Sequence, residues 1–293
     1  MKKKILTALG IVLFVFFLTQ IKYENLLHLI NTKNLLIFIL SMLLVILYNI
    51  ILYLRFKILI KIFLQKNFFR EFIYYRFLSI LSFKEIGDFI SKLYIINKKS
   101  KINKSKNIIF VFYEKIFDAS LTLIIFSFAL FLEFKNIELI FLFVFIFVVF
   151  LNSKIINLFI HFVNYLLSNK LKKKEILYLI SNNLNFNFLT LMKVILIIGR
   201  YSLLLIICGI DFDLQKLIVN FGVFQFLSLI SISPGGIGIF DLLAYKSAEL
   251  IYSNSEIVII FVLLNRISTI LGTTVTLIIS KRFKFFDKYF INR

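Results

Sequence analysis

Residues 35–60 read LLIFILSMLLVILYNIILYLRFKILI, and no charge interrupts the run before Arg55. A helix needs about 20 apolar residues to cross the hydrocarbon core of a bilayer, and this stretch supplies them. Five further runs are comparable or nearly so: 5–21, 108–132, 138–151, 188–210 and 257–280. Two others differ. Residues 217–233 are apolar but interrupted, and 72–96 are amphipathic and charged. Composition agrees, with 60% hydrophobic residues among 293 and a mean hydropathy of +0.95. A soluble domain is about 45–50% apolar, and a chain of this size has too much surface to hide the excess. The expected fold class is an all-α integral membrane protein, one polytopic helix bundle over 1–293. The long run after Lys2, Lys3 and Lys4 has no small-x-small cleavage site beyond Gln20, so it reads as an uncleaved anchor.

Charge assigns the sides. The N-terminus, 55–115, 152–193 and 281–293 together hold 28 of the 35 bases. Segment 55–115 alone has 14 bases against 4 acids, and 152–193 has 6 against 1. The loops 22–34, 133–138 and 211–216 hold 4 bases and 5 acids. Bases mark the cytoplasmic face, so both termini are expected inside, in a multi-pass protein of the cell (inner) membrane. The net charge of +20 is thereby explained without nucleic acid. The basic stretch 98–106, KKSKINKSK, is expected to be a solvated cytoplasmic loop. Six crossings with both ends inside require 217–256 to enter and leave on the outer side, and 72–96 to do so on the inner side. Both read as re-entrant, broken-helix elements, with paired full crossings as the alternative.

These two elements resemble each other. FLSILSFKEIGD (77–88) and FLSLISISPGGIGIFD (226–241) share a start, a second Ser three positions on, and a Gly shortly before an Asp. A base follows each by about 26 residues, Lys115 and Arg266. The chain therefore reads as an inverted repeat, first unit about 35–132 and second about 188–280. Inverted repeats whose broken helices meet near the midplane are common in secondary transporters. The second loop holds the only proline, Pro234, with Gly235, Gly236 and Gly238. Proline removes a backbone donor and glycine frees φ, so the helix should break there. The helix start that follows would offer N–H groups to an anion, and Asp241 could cap it.

Ionisable residues inside spans are the candidate functional groups. They are Glu114, Lys115, Asp118, Arg200 and Arg266, since a charge at membrane depth must face protein or water. Glu114 and Asp118 share a helix face, and Lys115 points aside. Two readings stay open: structural ion pairing between helices, or a polar cavity for a lipid headgroup. Arg200 is expected to snorkel or to pair with Asp241 or Glu249. Tyr48, Tyr53, Tyr74 and Tyr75 are expected in interfacial belts. Cys208 is the only cysteine and His28 and His161 the only histidines, so no metal site and no cofactor are expected.

At these residues the chain resembles the flippase-like family, the transmembrane region of lysylphosphatidylglycerol synthases and its free-standing relatives. The family's P-G-G-x-G-x-x-E segment stands here as Pro234 to Asp241, with Asp replacing Glu. Its G-E-x-x-R segment is matched by Gly87 and Asp88, with Ser91 at the Arg position and Lys92 after it. Its E-R-x-x-D segment appears as Glu114, Lys115 and Asp118, and its late Arg as Arg266. The resemblance is to a member without the aminoacyl-transferase domain, so lysyl transfer is not expected, nor any catalytic residue. It implies translocation of a phospholipid or other amphiphilic lipid between leaflets, with membrane lipids as partners. Phosphate would be held by the N–H groups after Pro234 with Arg266, Lys115 and Arg200. Asp88, Asp241, Glu114 and Asp118 would take an ammonium group or protons. The rival readings are a membrane-embedded transferase and a non-catalytic partner in envelope lipid or glycan synthesis; a homo-oligomer stays open.

Overall fold

The computed structural model describes residues 31–60, 68–81, 84–99, 104–135, 183–210, 213–230 and 255–282, with single positions at 161, 165, 245, 246, 249 and 252. These residues are helical, with no strand among them. Seven helices are named here: α1 Thr32–Ile60, α2 Phe69–Leu81, α3 Lys84–Lys99, α4 Lys104–Phe134, α5 Asn183–Ile207, α6 Leu214–Ile230 and α7 Ser255–Arg282. The expected spans 5–21 and 138–151 lie outside the described residues.

Three helices are long and apolar enough to cross a membrane: Thr32–Ile60, Asn185–Ile207 and Glu256–Lys281. They coincide with the expected runs 35–60, 188–210 and 257–280. Their outer faces carry apolar side chains at helical spacing. On α1, Leu36, Leu40, Leu43 and Leu47 are exposed; on α7, so are Ile267, Leu271 and Ile278. Such stripes suit a lipid solvent and would be unfavourable in water. The run 108–132 lies within α4, whose charged first half leaves a shorter apolar stretch, Leu121–Glu133.

Local chemistry sets several helix ends. Asn31 Oδ1 accepts the Asn34 N–H at 2.8 Å, and Asp213 Oδ1 accepts the Lys216 N–H at 3.1 Å, each capping the helix that follows. α5 ends at Gly209, whose φ of +69° is left-handed. There the Ile210 N–H reaches the Leu205 carbonyl and the Gly209 N–H the Ile206 carbonyl, the bond pair of a Schellman motif.

The region 72–96 forms parts of two short helices, α2 and α3, packed on each other. With 13 residues, α2 is about 20 Å long, shorter than the roughly 30 Å of a hydrocarbon core. At the two ends of the basic stretch 98–106, α3 runs through Lys99 and α4 begins at Lys104, and 100–103 lie outside the described residues. An Asn107 to Asn97 side-chain hydrogen bond of 2.6 Å ties the two together.

Helix α1 packs along α5, α4 along α6, and α2 along α7, with α1 also against α7. Two of these crossings are very close. A Cβ on Gly272 would lie 2.7 Å from the Val45 Cβ and 3.1 Å from the Met42 carbonyl. One on Gly222 would lie 2.6 Å from the Ala129 Cβ, and beside it Phe126 stacks on Phe226 at 4.2 Å. Small residues that admit backbone approach are typical of helix pairing in lipid, where no hydrophobic drive exists between helices. The buried apolar residues form two clusters. One joins the second half of α1 to α2, α3 and α4, and the other joins α5, α6 and α7. Tyr53 belongs to the first cluster, meeting Phe68, Phe69 and Phe72 edge-on. It is therefore core, and Tyr48 is held between the clusters; Tyr74 is exposed.

Candidate functional site

Four of the expected residues come together. Asp88 on α3 and Glu114, Lys115 and Asp118 on α4 sit in one buried ionic network, completed by bases from α1, α2, α3 and α5. Helical spacing organises it. Asp88 and Lys92 are four residues apart on α3, and their side chains meet at 2.9 Å. The same Lys92 Nζ reaches Glu114 Oε2 at 2.8 Å. Lys115, one position on, turns to Asp88 at 2.9 Å, and Arg76 approaches Asp88 from α2 at 3.8 Å. One helical turn beyond Glu114, Asp118 Oδ1 accepts both Arg55 Nη2 at 2.8 Å and Lys193 Nζ at 2.7 Å. Arg55 also feels Glu114, and Asp118 feels Lys115, so the two halves form one electrostatic unit.

Burial makes this unit costly to build. The side chains of Arg55 and Glu114 are fully buried, and that of Lys92 is 2% exposed. Removing an ion from water costs several kcal/mol even in a relaxed protein, so such groups persist only when paired and hydrogen-bonded. Aromatic faces supply part of the solvation. Arg55 lies over Phe186 at 4.6 Å, Arg76 over Tyr48 at 5.0 Å and Lys92 over Phe56 at 5.7 Å. From Arg76 a neutral chain continues. Its Nε donates to Asn49 Oδ1 at 2.7 Å, and Asn49 Nδ2 lies 3.2 Å from both Thr273 Oγ1 and Thr276 Oγ1 on α7.

Among the described residues the network joins five bases, Arg55, Arg76, Lys92, Lys115 and Lys193, to three carboxylates. Arg55 uses only Nη2 in hydrogen bonding; its Nε and Nη1 have no acceptor among the described residues.

The remaining expectations divide. Arg200 does not pair with Glu249. It donates to Thr269 Oγ1 at 2.8 Å and stacks by Tyr201, while Glu249 is taken by Lys246 and the Tyr245 hydroxyl. The chain's own chemistry explains this: Lys246, three residues away in sequence, already holds the Glu249 carboxylate. Arg266 lies half-buried on α7. Pro234, Gly235, Gly236, Gly238 and Asp241 lie outside the described residues. In the sequence Lys92 is only the base after the altered Arg position, and Arg55, Arg76 and Lys193 are the members it does not mark as site residues. All three fall in segments whose bases read as cytoplasmic, and the signal they did offer was a base adjoining an apolar run. Among the described residues no cluster of His, Cys, Asp and Glu could hold a metal ion.

Among the described residues the protein is helical without strands, and three of its helices are long and apolar enough to cross a membrane. The chain matches no protein-family model, no curated protein and no solved structure.

Proposed function

We propose that this chain is a multi-pass membrane protein of flippase-like type that moves a lipid between leaflets, its headgroup passing through the ionic network. The observation that carries the reading is the network itself, a cluster of eight charged groups fixed between helices by ion pairs. Ionisable groups at membrane depth are expensive and mark pathways for polar substrates. Helix pairing supports the inverted repeat. If α1, α2 and α4 correspond to α5, α6 and α7, then the α4–α6 and α2–α7 pairings exchange with each other and α1–α5 maps onto itself, whereas the α1–α7 pairing has no comparable α5–α4 counterpart. The shortness of α2, packed against α3, supports a broken hairpin entering from one side. The carboxylates do not await an ammonium ion from substrate, because this chain's own bases occupy them. Their role in this reading is to hold the bases in place.

Structural ion pairing is the competing reading, favoured by the fact that every network carboxylate already has a base. Leaflet exchange in proteoliposomes separates the two. The full-length protein should accelerate exchange of fluorescent phospholipids, and Lys115→Met should slow it at least tenfold while the protein stays folded. A Lys115→Met protein that exchanges lipid as fast as the parent would leave the network a purely structural device.

A further inference from the structure

We infer that Arg200 is the centre of an anion site outside the ionic network, between α5 and α7, and that it takes a phosphodiester, the singly charged group of a lipid headgroup. The inference goes beyond the translocation reading and does not rest on it. It starts from the contacts of Arg200. The guanidinium donates from Nη1 to Thr269 Oγ1 at 2.8 Å and lies 5.5 Å from the centre of the Tyr201 ring. Both partners are neutral, and no carboxylate among the described residues pairs with Arg200. Its buried Nε has no acceptor among them either. Position makes this arrangement costly. In the apolar helix Asn185–Ile207, Arg200 stands roughly 10 Å from one end and about 22 Å from the other at the helical rise per residue. A charge at such depth is expensive and marks a partner, a substrate or water. Arg200 is half-buried rather than sealed, which leaves a way in.

The surroundings define the ligand. With Nη1 spent on Thr269, the guanidinium keeps its Nε edge, and adjacent N–H donors along one edge match two oxygens of a phosphate, a geometry that a lysine cannot offer. Arg200 also feels the charge of Arg76, which reinforces the positive potential there. The place a counterion from the chain would fill is held by an amide. Asn265 is buried on α7, its side chain and that of Arg200 both approach the Tyr201 hydroxyl, and its Oδ1 has no donor among the described residues. In the ionic network each base meets a carboxylate, at 3.8 Å or closer. At Arg200 the chain supplies neutral groups instead and leaves the charge for a ligand. One guanidinium matches one negative charge, and an amphiphile carries its oxyanion to that depth on apolar chains that the lipid-facing helices accept.

The same diester chemistry could come from a lipid or from a free anion, and the probes separate them. Full-length protein in detergent is titrated with dioctyl phosphate, with uncharged dioctanoylglycerol and with water-soluble dimethyl phosphate. Bound copies are counted by native mass spectrometry. Dioctyl phosphate is expected to bind at least tenfold more tightly than dioctanoylglycerol. Arg200→Gln should lose one tightly bound copy, its binding weakened roughly tenfold to a hundredfold, as loss of charge-assisted hydrogen bonds implies. Arg200→Lys, which keeps the charge without the fork, should fall between the two. Asn265→Asp gives Arg200 a counterion from its own chain. It should weaken dioctyl phosphate at least tenfold while raising the melting temperature, and this keeps the inference testable should Arg200→Gln fail to fold. Unchanged dioctyl phosphate binding by Arg200→Gln or Asn265→Asp overturns the inference while leaving lipid exchange to be judged by its own assay. Dimethyl phosphate binding as tightly as dioctyl phosphate overturns the assignment to a lipid in favour of a free anion.

Discussion

Asp118 and Asp88 each hold more than one base, and this sets the order of mutational effects at the network. Asp118→Asn leaves Arg55 and Lys193 without their carboxylate. Removing one partner of a buried pair costs about 3–5 kcal/mol, because the charge left behind is uncompensated. Arg55→Met is expected to cost less, since Asp118 keeps Lys193. Thermal unfolding in detergent should therefore rank Asp118→Asn below Arg55→Met, and the reverse order would show that the two bases on Asp118 are not equivalent partners. The acid half of this site was legible in the sequence. Glu114 and Asp118 stand out as acids inside an apolar run, and Asp88 through the repeated Gly shortly before an Asp. Arg55, Arg76 and Lys193 were not, because a base near a span end satisfies the positive-inside pattern whether it faces water or protein. Only the tertiary structure brings Arg55 and Lys193 to Asp118 and Arg76 towards Asp88.

Among the elements, the close crossings carry the sharpest expectation. Gly272 lies against Val45 with no room for a methyl group, and the obstacle includes the Met42 backbone as well as a side chain. Gly272→Ala should force α1 and α7 apart and destabilise the fold by about 1–3 kcal/mol, as overpacking does. Gly199→Ala is the control, since its Cβ would sit 3.6 Å from the end of Leu44, an ordinary contact. A melting temperature lowered equally by both substitutions would rule out the close-approach explanation. The helices α1, α5 and α7 were readable because about 20 apolar residues in a row admit one structure in lipid. The glycines that pack them were not, since a glycine inside an apolar run says nothing until the facing helix is known. The amphipathic segment 72–96 reads in the sequence as a broken-helix element, and its described residues belong to two helices, α2 and α3, with 82 and 83 outside the described residues.

For the whole molecule, orientation is the property on which the proposed translocation would depend, and the buried network bears on the charge count behind it. Four of the 14 bases counted on the cytoplasmic side in 55–115, namely Arg55, Arg76, Lys92 and Lys115, are network members and not loop charges. Asp88 and Glu114 leave the count with them, so ten bases and two acids remain. The same correction applied to Lys193 leaves five bases and one acid in 152–193. The bias that orients the chain thus survives, because the network removes bases and acids together. Cysteines placed at Lys101 and Lys172 should then react with an impermeant maleimide only from the cytoplasm. A cysteine at the exposed Asp213 should react only from outside, after loss of a cap worth about 1 kcal/mol. The native Cys208 is buried and should contribute little background. Opposite sides for 172 and 213 mean that α5 crosses the bilayer, which places the second unit's α6 and its Pro-Gly segment opposite in sense to α2 and α3. If 172 and 213 react from the same side, α5 does not cross, the two units are not inverted, and the ionic network loses its place on a path between leaflets.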